Sequence, residues 1–222
     1  MPNRAGELQW RTPQESSARN EVLAAALAIA DEQGLDSVSI RRVAARIGRR
    51  PMSIYNHVAS KDDLLALMFD RISAELLVPD PLPQDGRELL RRIAQRAFDG
   101  YLAHPWMLHA FSRRPAAGPN QLRRAEQSAT AVKALGINPQ SAWTALSIVH
   151  EWTMGHALHT VTLREDTALN EHLDAADPAE YPNAAQALKP NQDRSGQVAF
   201  SEALECVLDG IEHRFVPPGA KE

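Results

Sequence analysis

The chain has 222 residues, of which 44% are hydrophobic, so it is long enough to bury the core of one large domain or two small ones. Its net charge of −4 means that any nucleic-acid contact must come from a local basic patch, and its single cysteine, Cys206, excludes an internal disulfide. No apolar run approaches the roughly 20 residues that span a bilayer, and the first residues carry no apolar signal region, so we expect a cytoplasmic protein.

The first part of the chain predicts a flexible polar arm over residues 1–14, followed by a helix. The start of this helix stays open between a cap at Thr12 and one at Ser16 or Ser17. Its apolar residues recur at helical spacing, and Gly34 terminates it after Gln33. The stripe consists of Val22, Leu23, Ala26, Leu27 and Ala30.

Two short helices around a glycine turn are predicted next. Ser39 is a suitable N-cap for the first of them, and Gly48 supplies the turn. Pro51 suits the first turn of the second helix, which we expect to continue to about His57. Small residues at the expected crossing, Ala44 and Ala45, would let the two helices approach each other closely.

A fourth helix is predicted from Ser60, with Asp63 three residues later as a capping signal. Three prolines interrupt the chain over residues 78–85 and end this helix. Beyond them the pattern stays helical, and the fold class is therefore all-α. The predicted later helices cover residues 86–103, 105–112, 119–135, 139–162 and 197–214. Residues 164–196 are polar and rich in proline, with one possible short helix at 168–174, and the sequence leaves open whether they are ordered.

The stretch from Ser39 to Lys61 stands out by its charge. It contains six basic residues and no acidic residue, within a chain that is acidic overall. A compact basic helix-turn-helix is typical of proteins that read DNA. The alternative for Arg42 and Arg46 is that they only form a solvated helix face. Arg49 and Arg50 can be either phosphate contacts or ordinary turn charges.

The same stretch resembles the TetR family of bacterial repressors. The resemblance rests on residues 39–44, on Ile47-Gly48, on residues 51–58 and on residues 61–65. It implies a three-helix helix-turn-helix domain over residues 15–61, a connecting helix over 62–78, and a helical effector-binding and dimerisation domain over 86–216.

The resemblance also implies which residues contact DNA. Base-edge positions of the family correspond to Arg41, Pro51, Met52, Ser53 and Asn56, and phosphate-contact positions correspond to Tyr55, His57 and Lys61. We add Ser39 and Arg50 to this set. Arg41 is the best candidate for a guanine, because its guanidinium can bond two acceptors in the major groove. A bulky aromatic often occupies the position of Asn56, and this difference indicates another base preference.

The second half of the chain is similar to the tetracycline-repressor branch of that family. Motifs in matching order carry this similarity, among them Arg114-Pro115, Gly118-Pro119-Asn120 and Thr153-Met154-Gly155. The branch implies a small-molecule cavity and a homodimer through the helices near 139–162 and 197–214. The predicted cavity residues are Leu89, Ile93, Ala97, Tyr101, Trp106, His109, Phe111, Arg114, Trp143, Leu146, His150 and Met154. The first four form a stripe on one predicted helix, and the last four run along one side of the long helix at helical spacing. Each of these can also be read as simple core filling.

Two features argue against tetracycline itself as the ligand. Leu77 and Ile93 stand where the tetracycline repressor holds the drug with polar side chains, and His159 stands where a glutamate serves the drug's magnesium. We therefore expect a more apolar effector and no cofactor. His150, His156 and His159 with Glu151 could suggest a metal site, but the set lacks three or four clearly converging ligands, and we predict none.

These features together predict a ligand-responsive repressor that binds a palindromic DNA operator as a dimer. The alternatives are an activator or dual regulator of the same fold, and an architectural DNA binder that responds to no ligand. An enzyme is disfavoured, because the sequence offers no nucleophile–base pair, cofactor motif or metal-ligand set.

Overall fold

A computed structural model describes residues 16–110, 116–165, 179–183 and 196–217. Within these ranges the regular structure is helical and no strand occurs, which confirms the all-α prediction. The predicted arm at residues 1–14, the possible helix at 168–174, and two of the predicted cavity residues, Phe111 and Arg114, lie outside the described residues.

Nine helices and one 3₁₀ turn make up the described part of the chain. The helices are α1 (Ser16–Gln33), α2 (Ile40–Arg46), α3 (Pro51–Ile54), α4 (Lys61–Glu75), α5 (Gly86–Ala103), α6 (Trp106–Ala110), α7 (Pro119–Ala134), α8 (Pro139–Glu165) and α9 (Gly196–Phe215), and the 3₁₀ turn is Leu35–Ser37. The third helix is shorter than predicted: it ends at Ile54, and a turn closed by a hydrogen bond from the His57 N–H to the Ile54 carbonyl (2.8 Å) continues it.

The predicted caps lie at the starts of α2 and α4. The Ser39 hydroxyl oxygen accepts a hydrogen bond from the Arg42 N–H (3.3 Å), and the Ser60 hydroxyl oxygen accepts one from the Asp63 N–H (3.0 Å). The Asp63 carboxylate in turn accepts a hydrogen bond from the Ala59 N–H (2.8 Å). Each cap satisfies donors that a helix start would otherwise leave without partners.

Helix α4 is buried on more than one side. It packs against α1 in the amino-terminal half and against α7 in the carboxy-terminal half. Every residue from Leu64 to Asp70 is buried, as are Ile72 and Ser73. One continuous apolar core therefore runs through both halves of the protein.

The carboxy-terminal half is built around α5, which contacts α7, α8 and α9. Phe98 of α5 stacks on Phe200 of α9 with ring centroids 4.1 Å apart, and Trp152 of α8 stacks on the same ring at 5.2 Å. Leu204 and Leu208 continue this buried face of α9. These three α9 residues form an apolar row that is buried within its own chain.

Two arginines of α5 attach this helix to α9. Arg87 forms ion pairs with Glu205 (2.6 Å), Asp209 (2.7 Å) and Glu212 (2.9 Å). Arg91 also binds Glu205, at 2.6 Å. Because several charges share partners, this network fixes the relative position of α5 and α9 better than an isolated surface pair would.

A glutamine of α7 holds the proline-rich segment between α4 and α5. The Val78 N–H donates to the Gln127 side-chain oxygen (3.0 Å), and the Gln127 amide donates to the Val78 carbonyl (2.8 Å).

Across the described ranges, no helix is both long enough and apolar enough to cross a membrane.

We predict that the ion-pair network makes the stability of the fold depend on acid pH. The Arg91 guanidinium, with that of Arg87, lowers the pKa of Glu205 from 4.5 to about 2. A lowered folded-state pKa means that the stabilisation is complete above pH 4.5 and is lost as the pH falls toward about 2. Glu205→Gln should therefore lower the free energy of unfolding near neutral pH by up to about 1 kcal/mol, since water screens this partly exposed side chain.

Urea denaturation of the wild type and of Glu205→Gln, repeated at pH values across this window, measures the effect. Glu202→Gln, an exposed glutamate on the same helix, is the matched control. If the free energy of unfolding changes with pH in the same way in the wild type and in Glu205→Gln, the network contributes nothing to the pH dependence of stability.

Candidate nucleic-acid interface and cavity

The connection between α2 and α3 is a tight glycine turn. Gly48 has a φ of 65°, in the left-handed region that side chains disfavour. The Arg49 N–H donates to the Ala44 carbonyl (2.8 Å), which satisfies the end of α2 and sets the direction of α3. Val43, Ala44 and Ile54 are fully buried, so the opposite sides of the two helices face outward.

The outward side of α3 and the following turn carries most of the predicted DNA contacts. Met52 is 76% exposed and Tyr55 is 49% exposed, which is unusual for large apolar or aromatic side chains without a partner to cover them. Pro51 and Asn56 are also exposed. The other predicted contacts in this region, Ser39, Ser53 and His57, are half-buried, and the Ser53 hydroxyl donates to the Arg50 carbonyl (2.7 Å).

Three of the six basic side chains of this region are held by α1. Arg46 forms an ion pair with Glu32 (2.5 Å) and Arg49 forms one with Glu21 (2.6 Å). The Arg42 guanidinium donates to the side-chain oxygen of Gln33. These arginines attach the helix-turn-helix to α1, so their structural role is supported by specific partners.

The other three basic side chains are exposed and available. Among the described residues, Arg41, Arg50 and Lys61 make no hydrogen bond or ion pair through their charged groups. They are the three basic residues of the predicted DNA-contact set. The geometry therefore separates cations that brace the domain from cations that can bind an external phosphate or base.

A cavity of about 360 Å³ lies between α5, α7 and α8. Its size is within the range typical of small-molecule sites. Five predicted cavity residues line it: Ile93, Ala97, Trp143, Leu146 and His150. Trp143 is 79% exposed, so this wall is open to the outside in the single chain.

Five other predicted cavity residues lie elsewhere. Leu89 and Tyr101 are fully buried in the core behind the cavity, and Met154 is partly buried against that core. Trp106 and His109 lie on α6, beside α1 and away from the cavity wall. Helical spacing placed these side chains on roughly the correct faces but could not distinguish the cavity wall from the core behind it.

The polar part of the cavity wall was missed from the sequence. The additional polar residues that line the cavity are Gln121, Arg124, Ser128, Ser147, Glu151 and Thr153. Half of these residues come from α7 and half from α8. Thr153 is 1% exposed, and its hydroxyl has no hydrogen-bond partner among the described residues.

Arg124 dominates the electrostatics of this wall. Burial raises the pKa of the Tyr101 hydroxyl, and the nearby Arg124 guanidinium partly opposes that rise. The His150 imidazole keeps more than a third of its surface exposed, yet the protein around it lowers its pKa and the Arg124 cation lowers the pKa further. His150 is therefore neutral at pH 7, while Arg124 stays charged.

The amino-terminal and carboxy-terminal halves are joined at the end of α1. The Trp106 indole N–H donates to the Asp31 carboxylate (2.7 Å), and His104 Nδ1 lies 2.7 Å from the same oxygen. The Trp106 ring also packs edge-on against Phe69 of α4, with centroids 5.7 Å apart. Trp106 thus contacts both helices that carry the helix-turn-helix.

A second junction lies at the start of α7. The buried Asp70 carboxylate of α4 accepts hydrogen bonds from the Asn120 backbone N–H (2.8 Å), the Asn120 side-chain amide (2.7 Å) and the Gln121 N–H (3.4 Å). A carboxylate at a helix amino terminus is stabilised by free N–H groups and by the helix dipole. Gln121 also lines the cavity, so one residue connects the cavity wall to α4.

The histidines of α8 do not form a ligand set with their neighbours. His156 packs against Trp152 (5.2 Å) and Phe200 (5.5 Å) in the aromatic cluster. Across the described ranges, no group of three or more histidine, cysteine or acidic side chains is arranged to hold a metal ion.

Two family models match the chain. Residues 22–68 match the model described as bacterial regulatory proteins, tetR family, and residues 78–215 match the one described as tetracyclin repressor-like, C-terminal domain. The first match ends within α4 and the second begins in the segment just after it, and together they include both the basic motif and the cavity.

Curated relatives are transcriptional regulators. The chain is 33% identical over 159 residues to the HTH-type transcriptional repressor DrrR1 of Streptomyces coeruleorubidus, a match that covers 68% of this chain but only 59% of that protein. It is 30% identical over 214 residues to an HTH-type transcriptional regulator of Saccharopolyspora erythraea, covering 91% of this chain and 90% of that one. Among solved structures, the TetR family protein ActR of Streptomyces coelicolor in complex with (S)-DNPA superposes with a TM-score of 0.72 at 25% identity, over 87% of this chain and 96% of that one.

We predict that Asp70→Asn destabilises the junction between α4 and α7. The new amide keeps one oxygen for the backbone N–H groups of Asn120 and Gln121, but its NH2 group would face the side-chain amide donor of Asn120, so one buried acceptor is lost while its donor remains. The free energy of unfolding should fall by about 1–3 kcal/mol.

Chemical denaturation measures this change, and Asp62→Asn provides the matched control, because Asp62 is exposed in the first turn of the same helix. Equal effects of the two substitutions would contradict a special role for the buried carboxylate.

Proposed function

The chain belongs to the TetR family of bacterial regulators, and we propose that it is a transcriptional repressor that binds a DNA operator as a homodimer and is released by a small molecule. The observation that carries this proposal is that three of the six basic side chains of the helix-turn-helix are held by α1, while the other three are exposed. Arg41, Arg50 and Lys61 are exposed beside the uncovered side chains of Met52 and Tyr55. A surface with these properties fits the major groove and its flanking phosphates.

Each exposed group has a role that follows from its chemistry. The Arg41 guanidinium can bond both major-groove acceptors of a guanine, and the Asn56 amide can pair with an adenine. Pro51 and Met52 offer apolar contact to a thymine methyl group. Tyr55, His57 and Lys61 bind phosphates, which sets the register of the protein on DNA without reading the sequence.

The homodimer is proposed through α8 and α9. Trp143, Ile148 and Leu158 are large exposed side chains on α8, and Cys206 is exposed on α9. Phe200 and Leu204 of α9 are not part of this surface, since they are buried within the chain. A two-fold axis would pair equivalent helices and would present two recognition helices to a palindromic operator with half-sites about one DNA turn apart.

The effector site is proposed in the cavity between α5, α7 and α8. A ligand-independent architectural binder would fill such a space with side chains, whereas about 360 Å³ is open here. ActR, a relative of similar fold, was crystallised in complex with a small molecule. These observations favour an effector-responsive regulator over an architectural one.

Two junctions can carry the response from the cavity to the DNA-binding surface. Asp70 ties α4 to the start of α7, whose residue Gln121 lines the cavity. Trp106 ties α6 to Asp31 and packs against α4. Filling the cavity shifts α7 directly and shifts α6 through α5, which lines the cavity and contacts α6. These shifts move the base of α4 and change the separation of the two helix-turn-helix motifs. A coupling of roughly 1–3 kcal/mol is enough to lower operator affinity 5- to 150-fold.

Selection of bound DNA from a random duplex pool tests this function directly. We expect a palindrome with two half-sites. Arg41→Ala should then weaken binding to that operator by about 1–3 kcal/mol, because a bidentate base contact is lost, and should relax selectivity at one base pair per half-site. Lys61→Ala should weaken binding to all sequences and reduce the salt dependence.

Arg71→Ala is the control for both variants. Arg71 is an exposed arginine of α4 that pairs with Glu75 (3.6 Å), within its own helix. Sedimentation should show the same dimer in every variant. Sequence-independent enrichment, or wild-type affinity in Arg41→Ala, would contradict the proposed DNA-binding surface.

We predict that Trp106→Phe weakens the coupling between ligand and DNA. Phenylalanine keeps the aromatic contact with Phe69 but removes the hydrogen bond to Asp31. A compound found by thermal-shift screening should raise the melting temperature of this variant as much as that of the wild type, yet it should release less operator.

Trp152→Phe, the same change in the aromatic cluster of α8, is the control and should leave release unchanged. If the compound releases the operator from Trp106→Phe as fully as from the wild type, the contact with Asp31 does not couple the ligand to DNA binding.

A further inference from the structure

We propose that the cavity selects effectors that carry one anionic group, and that Arg124 binds this group. The inference rests on the proposed effector site and names the chemical class of its ligand. Arg124 lies on α7 and lines the cavity wall opposite Leu146 and Val149 of α8. It is half-buried, so an anion that reaches it leaves much of the surrounding water.

Arg124 has no acidic partner among the described residues, unlike four other arginines that lie at contacts between helices. Arg46, Arg49, Arg87 and Arg91 all form ion pairs with carboxylates of neighbouring helices. Within the described residues, Arg124 forms no such ion pair, and the Tyr101 hydroxyl near it is neutral. A partly buried guanidinium without a counter-charge is a strong site for a carboxylate or sulfonate, which it can bind through two parallel hydrogen bonds.

The other titratable groups on this wall leave the positive charge in place. His150 is neutral at pH 7, because its surroundings lower its pKa. Glu151 also lines the cavity, but it is exposed and forms no ion pair with Arg124. The inner wall near α7 is therefore positive, and a neutral ligand would leave the Arg124 charge without a partner.

The other residues that line the cavity indicate the chemistry of the rest of the ligand. Apolar side chains from three helices supply most of the lining, among them Leu90, Ile93, Ala94, Ala97, Leu146 and Val149. The buried Thr153 hydroxyl, which has no hydrogen-bond partner in the described part of the chain, offers one neutral polar contact. The expected effector is thus an apolar molecule with a single acidic group and a further hydroxyl or carbonyl.

A matched pair of fluorescent probes tests the charge preference on the intact protein. The sulfonate 8-anilinonaphthalene-1-sulfonate and the uncharged N-phenyl-1-naphthylamine share the same ring system and both brighten in apolar surroundings. The wild type should bind the sulfonate. Arg124→Met should weaken that binding by about 10- to 100-fold, the effect of losing a hydrogen-bonded ion pair, and should leave the neutral probe unaffected. Arg124→Lys should bind the sulfonate more weakly than the wild type and more tightly than Arg124→Met.

Ala125→Trp shows whether the probes occupy this cavity. Ala125 is an exposed residue that lines the cavity, so tryptophan there fills the space without entering the core. Both probes should bind this variant weakly. Circular dichroism and the melting temperature report whether each variant is folded.

Three outcomes would overturn the inference: sulfonate binding that is unaffected by Arg124→Met, an equal loss of both probes in that variant, or no binding of the sulfonate to the wild type. The operator measurement is independent of these outcomes. A protein that binds its operator but does not discriminate between the probes would refute only the anion site, and one that discriminates but binds no operator would refute only the proposed function.

Discussion

The position of the helix-turn-helix depends on the burial of α4. This helix belongs to both halves of the protein, with α1 on one side and α7 on the other. Its residues from Leu64 to Asp70 are buried, so it cannot rotate or slide without disturbing the packing of one half or the other. The buried Asp70 carboxylate adds a directional restraint, because its hydrogen bonds with Asn120 and Gln121 require one position of α7 relative to α4. Any movement of α7 is consequently felt by the DNA-binding half.

The basic surface depends on where the carboxylates of α1 are bound. An acidic chain can present a basic patch only if its own carboxylates do not neutralise the patch. Here Glu21 and Glu32 of α1 bind Arg49 and Arg46, and this contact also holds α1 against the motif. The Arg46 guanidinium lowers the pKa of Glu32, so the contact holds the carboxylate in its charged form. The cations on the outward side, Arg41 and Lys61, lie beyond the reach of these carboxylates. Their charge is therefore available over the short distance at which a phosphate is bound.

Local signals made much of the fold predictable. Serine caps, the prolines at helix starts and Gly48 act through nearby backbone groups, and the helices begin within a residue or two of the predicted positions. The choice between structural and free arginines could not be made in this way, because it depends on where the carboxylates of α1 lie in space. The neighbour of the apolar row through Phe200 could not be assigned for the same reason: helical spacing shows that a face is apolar but does not show which neighbour covers it.

The cavity wall illustrates the deepest limit of pattern reading, because its informative residues are polar. An apolar stripe predicts burial, and it identified Ile93, Ala97 and Leu146. Arg124 and Gln121 lie on a helix that reads as an ordinary polar surface, and only the packing of α5 and α8 against that helix makes it a wall. Polar groups placed there lose part of their hydration, so they interact more strongly with a bound ligand than they would at an open surface. Since the Gln121 N–H also donates to Asp70, a ligand that displaces this wall in the proposed mechanism acts on α4 through the first turn of α7. In that mechanism recognition and response share one short helix segment, and the differential affinity of the ligand for two positions of that segment sets the size of the response.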